Sequence, residues 1–203
     1  MHKTSAPKGF TLIEMVVVMV TLAMIGAAVA AFQRNIVTFN AIIQDDLNGQ
    51  QELRTGVKNM LFEIRSTAPS STGTYALDTV ASSTLIFYSD LNGDGLRERV
   101  RYFLSGKTLK RGVVKPTGSP LTYNLGTETT SDVVHNLVLS ATDVFSYYDS
   151  SYSGTTAPLT QPVNVLQVRL VRIIMTVDRD PKRAPGPLTI TAEATLRNLK
   201  DNL

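Results

Sequence analysis

The chain has 203 residues and a formal net charge of +3, with lysines and arginines scattered rather than clustered, which argues against a strong electrostatic footprint for nucleic acid. It contains no cysteine, so disulfides, thiolate metal centres and a cysteine nucleophile are excluded. Apolar residues make up 43% and charged residues only 18%, and the apolar excess is gathered near the N-terminus, unlike the even distribution of an ordinary soluble domain.

Residues Met1 to Gly9, MHKTSAPKG, form a short polar leader carrying Lys3 and Lys8. From Phe10 to Phe32 the chain reads FTLIEMVVVMVTLAMIGAAVAAF, in which only Thr11, Glu14 and Thr21 are polar. That is the length a helix needs to cross a bilayer, and the leader's lysines favour a cytoplasmic N-terminus. From Gln33 the pattern turns amphipathic. Phe32, Ile36, Phe39, Ile43, Leu47, Val57, Met60, Leu61 and Ile64 recur at helical spacing, with charged and amide residues between them. No proline interrupts Phe10 to Ala68, and Pro69 follows as a stop signal. One helix of that length would span roughly 85 Å, with Gly26, Gly49 and Gly56 as its weak points.

After Ala68, Ser, Thr, Gly and Asn become frequent, and short apolar runs alternate with turn signals. Strands are predicted at Thr84–Tyr88, Arg97–Leu104, Thr108–Val114, within Asn136–Tyr148, at Val163–Val177 and at Leu188–Leu199. In Arg97–Leu104, Arg97, Arg99 and Arg101 share one face, and Val100, Tyr102 and Leu104 the other. In the last run Ile190, Ala192, Ala194 and Leu196 face one way. Short connections favour antiparallel pairing.

The segment Lys8-Gly9-Phe10-Thr11-Leu12-Ile13-Glu14 resembles the prepilin peptidase recognition site of type IV pilins and type II secretion pseudopilins. The resemblance implies cleavage between Gly9 and Phe10, N-methylation of Phe10, and an assembly role for Glu14, fifth in the mature chain. Physical chemistry points the same way. A charged side chain at the centre of a membrane helix costs about 2.5–3.5 kcal/mol on insertion scales, so an intramembrane acid calls for a partner. Cleavage would create a positive amine at Phe10, which a neighbour's Glu14 could neutralise, fixing the axial stagger. The competing reading is a secretory signal peptide or a plain anchor, since Ala28-Val29-Ala30 resembles a cleavage site. Against it, Glu14 sits inside what would be the apolar signal core, and the stretch runs on unbroken into the amphipathic helix. One departure from the family is Ala30-Ala31, where many pilins carry a proline and many pseudopilins and minor pilins do not.

Five further segments resemble PilW-like minor pilins and J-type minor pseudopilins, in the same order along the chain. They are Phe87-Tyr88-Ser89-Asp90-Leu91-Asn92-Gly93-Asp94-Gly95, Arg99-Val100-Arg101-Tyr102, Phe145-Ser146-Tyr147-Tyr148-Asp149, Val168-Arg169-Leu170-Val171-Arg172-Ile173 and Thr195-Leu196-Arg197-Asn198-Leu199. The resemblance implies a low-copy subunit at or near a filament tip that helps start assembly.

The one candidate metal site is the loop Asp90, Asn92, Asp94, the Leu96 carbonyl and Glu98, at positions one, three, five, seven and nine of an EF-hand-like calcium loop. Position twelve is Arg101 instead of the bidentate glutamate, and the competing reading is a glycine-rich turn. Catalysis has little support. His135 is the only histidine beyond the leader, Asp132 is three residues away, and neither GxSxG nor HExxH occurs. The run Asp178 to Arg183 reads as a solvated hairpin loop, or else a partner-binding one.

The expected fold is α+β, a pilin fold whose long N-terminal helix packs its second half on an antiparallel sheet. The expected organisation is a leader at 1–9, a transmembrane and assembly helix at 10–32, an amphipathic continuation at 33–66 and a β-rich domain at 67–203. The expected partners are other pilin or pseudopilin subunits, prepilin peptidase and an inner-membrane assembly platform. The expected location is the inner membrane, with the C-terminal domain outside the cytoplasm, and then the filament. No cofactor is required, calcium being the one candidate, and no enzymatic role is expected. The alternative is a membrane-anchored, exported β-rich binding domain, with calcium as its candidate ligand, which would keep its leader and stay monomeric. A hydrolase using His135 is a third reading, testable by a single-turnover assay after His135→Ala.

Overall fold

The structure, a computed structural model, describes residues 9–138, 144–178, 181–182 and 186–199, without the side chains of 35, 37, 38, 41, 42, 45, 46 and 197. The chain divides into two compact units, Met1–Asp45 and Asp46–Leu203. One helix, α1 (Leu12–Arg65), begins in the first and ends in the second, and none of its glycines interrupts it.

In the first unit α1 carries the apolar stretch. Leu12–Arg34, 23 residues, is long and apolar enough to cross a membrane, and none of its apolar window is buried. Ile36, Phe39 and Ile43 are exposed as well. The leader residues 1–8 lie outside the described residues.

In the second unit α1 becomes a core helix. Leu53, Val57, Met60 and Ile64, spaced four, three and four apart, form a fully buried stripe, each burial contributing about 1.5–3 kcal/mol. Leu53 was not part of the predicted stripe, and Leu47, which was, is exposed. At the C-terminus the Ser66 hydroxyl donates to the carbonyls of Phe62 (3.2 Å) and Glu63 (2.9 Å). The Phe62 carbonyl also accepts the Ser66 N–H (3.2 Å), so the hydroxyl's own addition to the helix end is its bond to the Glu63 carbonyl.

The strands are β1 (Leu77–Val80), β2 (Thr84–Ser89), β3 (Glu98–Ser105), β4 (Thr108–Val114), β5 (Pro116–Thr117), β6 (Thr122–Tyr123), β7 (Thr129–Val134), β8 (Phe145–Tyr148), β9 (Leu170–Val177) and β10 (Leu188–Thr195). They form an antiparallel five-stranded sheet in the order β1-β2-β3-β4-β7, a three-stranded sheet β10-β9-β8 and a small ribbon β5-β6. The architecture is therefore α+β, as expected, but with two main sheets instead of one. The predicted faces hold: on β3, Val100 and Tyr102 are buried while Arg99 and Arg101 lie on the other side. On β10, Ile190, Ala192 and Ala194 point inward.

One core joins the helix to both sheets: Leu53, Met60 and Ile64 belong to the same apolar cluster as Phe87, Tyr102, Phe145, Tyr147, Ile173 and Met175. Hydrogen bonds reinforce it. Phe145 N–H donates to Ser82 O (2.9 Å) and Tyr147 O–H to Ala81 O (2.8 Å), tying the second sheet to the β1–β2 turn.

One predicted strand is broken, and two predicted segments fall partly outside the described residues. Val163–Val177 is not one strand, because the Asn164 side chain accepts the Leu166 N–H (3.1 Å) and starts a short helical turn at Val165–Gln167, leaving the strand to begin at Leu170. Of Asn136–Tyr148, residues 139–143 lie outside the described residues and Phe145–Tyr148 is β8. Of the charge run, 179, 180 and 183 lie outside the described residues.

Candidate functional site

The N-terminal motif folds as a helix start. Thr11 is the residue before α1, and Glu14 is the third residue within it, the spacing of a capping box. The Glu14 Oε2 atom accepts the Thr11 backbone N–H at 2.8 Å and its hydroxyl at 2.9 Å, and the Glu14 N–H approaches Thr11 Oγ1 at 3.4 Å. The carboxylate also lies at the positive end of the helix dipole, where negative charge is favoured. Thr21 donates to the carbonyls of Val17 (3.0 Å) and Val18 (2.9 Å). All three polar side chains of the apolar stretch are thus bonded locally, Thr11 and Glu14 to each other and Thr21 to the helix backbone. Two donors do not cancel a charge, however, and among the described residues Glu14 has no cationic partner. Gly9 and Phe10 precede the helix, and both are exposed, the Phe10 side chain strongly so at 82%. The role of Thr11 was missed by the sequence reading, although Thr-x-x-Glu ahead of an apolar run is its signature.

The loop between β2 and β3 turns its acids onto itself. Asp90 accepts the N–H groups of Gly93 (2.7 Å) and Gly95 (2.9 Å). Asp94 accepts the Leu96 N–H (2.8 Å) and the Asn92 amide (2.7 Å), and these two bonds, the backbone one foremost, hold its carboxyl below the usual range. Glu98 is buried on β3, accepts the Leu91 N–H (3.1 Å) and has the Lys115 ammonium 3.8 Å away. Among the described residues no group of three or more His, Asp or Glu side chains is placed to hold a metal ion. The loop as arranged is a hydrogen-bonded turn with the Lys115 ammonium beside Glu98.

Two polar clusters link α1 to the five-stranded sheet; the sequence pointed to His135 and Asp132 of the second, but not to their partner Glu52 and not to the first. Glu63 Oε2 accepts the Tyr102 hydroxyl (2.7 Å) and the Arg111 Nε–H (3.0 Å), and its Oε1 pairs with the Arg111 terminal nitrogen (2.7 Å). Burial first, and then the Glu63 charge, pushes the Tyr102 hydroxyl far above its ordinary range. The second cluster is His135, whose ring nitrogens bond Glu52 and Asp132. A cleft of about 360 Å³ runs between the clusters. The arginines of β3 are neutralised within the domain: Arg99 pairs with Asp78 (2.9 Å), and Arg101 pairs with Glu128.

A comparison with protein-family models and with curated proteins finds no match for this chain.

Proposed function

We propose that this chain is a pilin-like structural subunit, a minor pilin or pseudopilin, that is cut between Gly9 and Phe10 and polymerises through α1. The observation that carries this reading is Glu14. Its carboxylate sits in the first turn of a 23-residue apolar helix, bonded only to Thr11 of its own chain and lacking a cationic partner among the described residues. An acid kept at the start of so apolar a helix has a use outside the isolated subunit. The new amine at Phe10 of an adjacent subunit supplies the matching charge, and pairing the two lets both leave lipid for a protein bundle.

In this reading the helix has two jobs. Its apolar part is the anchor in the inner membrane and later the inner rod of a filament, and its buried part holds the β domain outside the cytoplasm. The α+β architecture supports assignment to the pilin fold, and the resemblances in the β region favour a tip or initiation role. Prepilin peptidase and an inner-membrane assembly platform are the partners the reading requires.

The test is fractionation of cells expressing Glu14→Gln. The variant is expected in the membrane fraction at parental levels but depleted from sheared filaments. Parental incorporation of the variant would defeat the assembly role.

A further inference from the structure

His135 follows β7 and sets both ring nitrogens against carboxylates from two different elements. Nδ1 lies 2.5 Å from Glu52 Oε1 on α1, and Nε2 lies 3.2 Å from Asp132 Oδ2 on β7. The same Glu52 oxygen accepts the His135 backbone N–H at 3.0 Å. A neutral imidazole has one N–H and one lone pair, so it serves one carboxylate and presents a lone pair to the other. Only the imidazolium donates to both. On β4, the Lys110 ammonium sits 2.8 Å from Asp132 Oδ1, and farther along the cleft Arg111 is occupied by Glu63.

The position of the ring gives this chemistry a consequence. Glu52 immediately precedes Leu53, the N-terminal end of the helix's buried stripe. One turn on, Gly56 lies so close to β7 that a Cβ would sit 3.0 Å from methyl groups of Val133 and Val134. Glu52, Gly56 and Asp132 all line the cleft between α1 and the sheet. The ring therefore bridges α1 and the end of β7 beside the first residue of the buried stripe.

We propose that His135 is a protonation-operated clamp, which as imidazolium donates to Glu52 of α1 and Asp132 of β7 at once and as neutral imidazole gives up one of the two, so that the turn of α1 around Glu52 is held less tightly to the end of β7. Its ring titrates above the ordinary histidine value of 6.5, chiefly through the bond to Glu52, with Asp132 adding to it and burial opposing. A raised value means that the two-sided fastening is complete below the ordinary histidine value and is lost as pH rises through the folded one. The ring is half exposed, so the loosening is a local opening of the helix turn and not an unfolding of the domain.

The experiment is amide hydrogen exchange on the full chain in detergent micelles, corrected for the intrinsic pH dependence of exchange, alongside an NMR titration of the His135 ring. Protection over Gly49–Gly56 is expected to fall about two- to fivefold as pH rises through the ring midpoint. In His135→Gln it is expected to stay at the lower level across the same range. Unchanged protection in the parent chain, or the same pH response in His135→Gln, overturns the clamp. A ring midpoint at or below 6.5 in the parent chain also overturns it, independently of how any variant folds.

Discussion

Thr11 holds the carboxylate of Glu14 with two hydrogen bonds, one from its amide and one from its hydroxyl, at 2.8 and 2.9 Å. The chain thereby supplies its own donors to an acid that apolar surroundings penalise, and it closes the first turn of α1 with the same contacts. Thr11→Ala keeps the amide donor and removes the hydroxyl. A lost N-cap costs about 0.5–2 kcal/mol, so amide protection at Ile13 and Glu14 in micelles should drop about two- to thirtyfold, with membrane insertion unaffected. Unchanged protection would show that the hydroxyl contributes nothing to the cap.

Glu63 fastens the C-terminal half of α1 to the sheet. It is the shared acceptor for the Tyr102 hydroxyl and the Arg111 guanidinium, and its own side chain is only 13% exposed. Glu63→Ala leaves a part-buried cation and a buried hydroxyl without their acceptor. The expected loss is about 1.5–3 kcal/mol in denaturant unfolding, with Glu63→Gln retaining part of it. A Glu63→Ala variant as stable as the parent would place the fastening elsewhere.

Gly112 gives Glu128 its path to Arg101. A Cβ at Gly112 would stand 2.6 Å from the Glu128 carboxyl carbon, so the acid would have to swing away from the arginine it pairs with. Gly112→Ala should cost about 0.5–1 kcal/mol. In a Glu128→Ala background the same substitution should be neutral or slightly stabilising, because the obstacle is gone and strand glycine is itself weakly unfavourable. Equal costs in both backgrounds would refute this explanation of the glycine.

Acid should weaken the domain through its ion pairs. Arg101 holds the Glu128 carboxyl below its ordinary value of 4.5, and Lys110 does the same for Asp132, ordinarily 3.8, with His135 assisting. Lowered values mean a contribution that is complete above the ordinary carboxylate range and disappears as pH falls through the folded values. The thermal midpoint should therefore hold near pH 6 and decline below about pH 4, with a shallower decline in Glu128→Gln. The same slope in parent and variant would remove Glu128 from the account.

Much of the architecture was legible because it rests on periodic apolar pattern. The long helix announced itself through an unbroken apolar run followed by helical spacing, and the two-faced strand β3 through alternation of arginine with Val100 and Tyr102. What escaped was whatever lacked that pattern. β7 begins Thr-Thr-Ser-Asp, exposed polar residues with no apolar alternation until Val133, so nothing marked it as a strand. Leu53 was hidden between Glu52 and Arg54. The Glu63, Tyr102 and Arg111 cluster joins residues 39 and 48 positions apart, a coincidence only folding creates. At the candidate site the motif residues were readable, whereas the partnership of Thr11 with Glu14 was overlooked. The calcium spacing was readable too, but the hydrogen bonds that its acids make were not. Here they accept the amides of Gly93, Gly95 and Leu96.

The central claim is that the apolar rod is a polymerising element released by one cut, and the mass of the mature protein tests it most directly. Intact-mass and N-terminal analysis of the chain from its native membrane should show a product beginning at N-methylated Phe10, with Gly9→Leu remaining at full length. A native protein that keeps Met1, or one trimmed near Ala30, would contradict it.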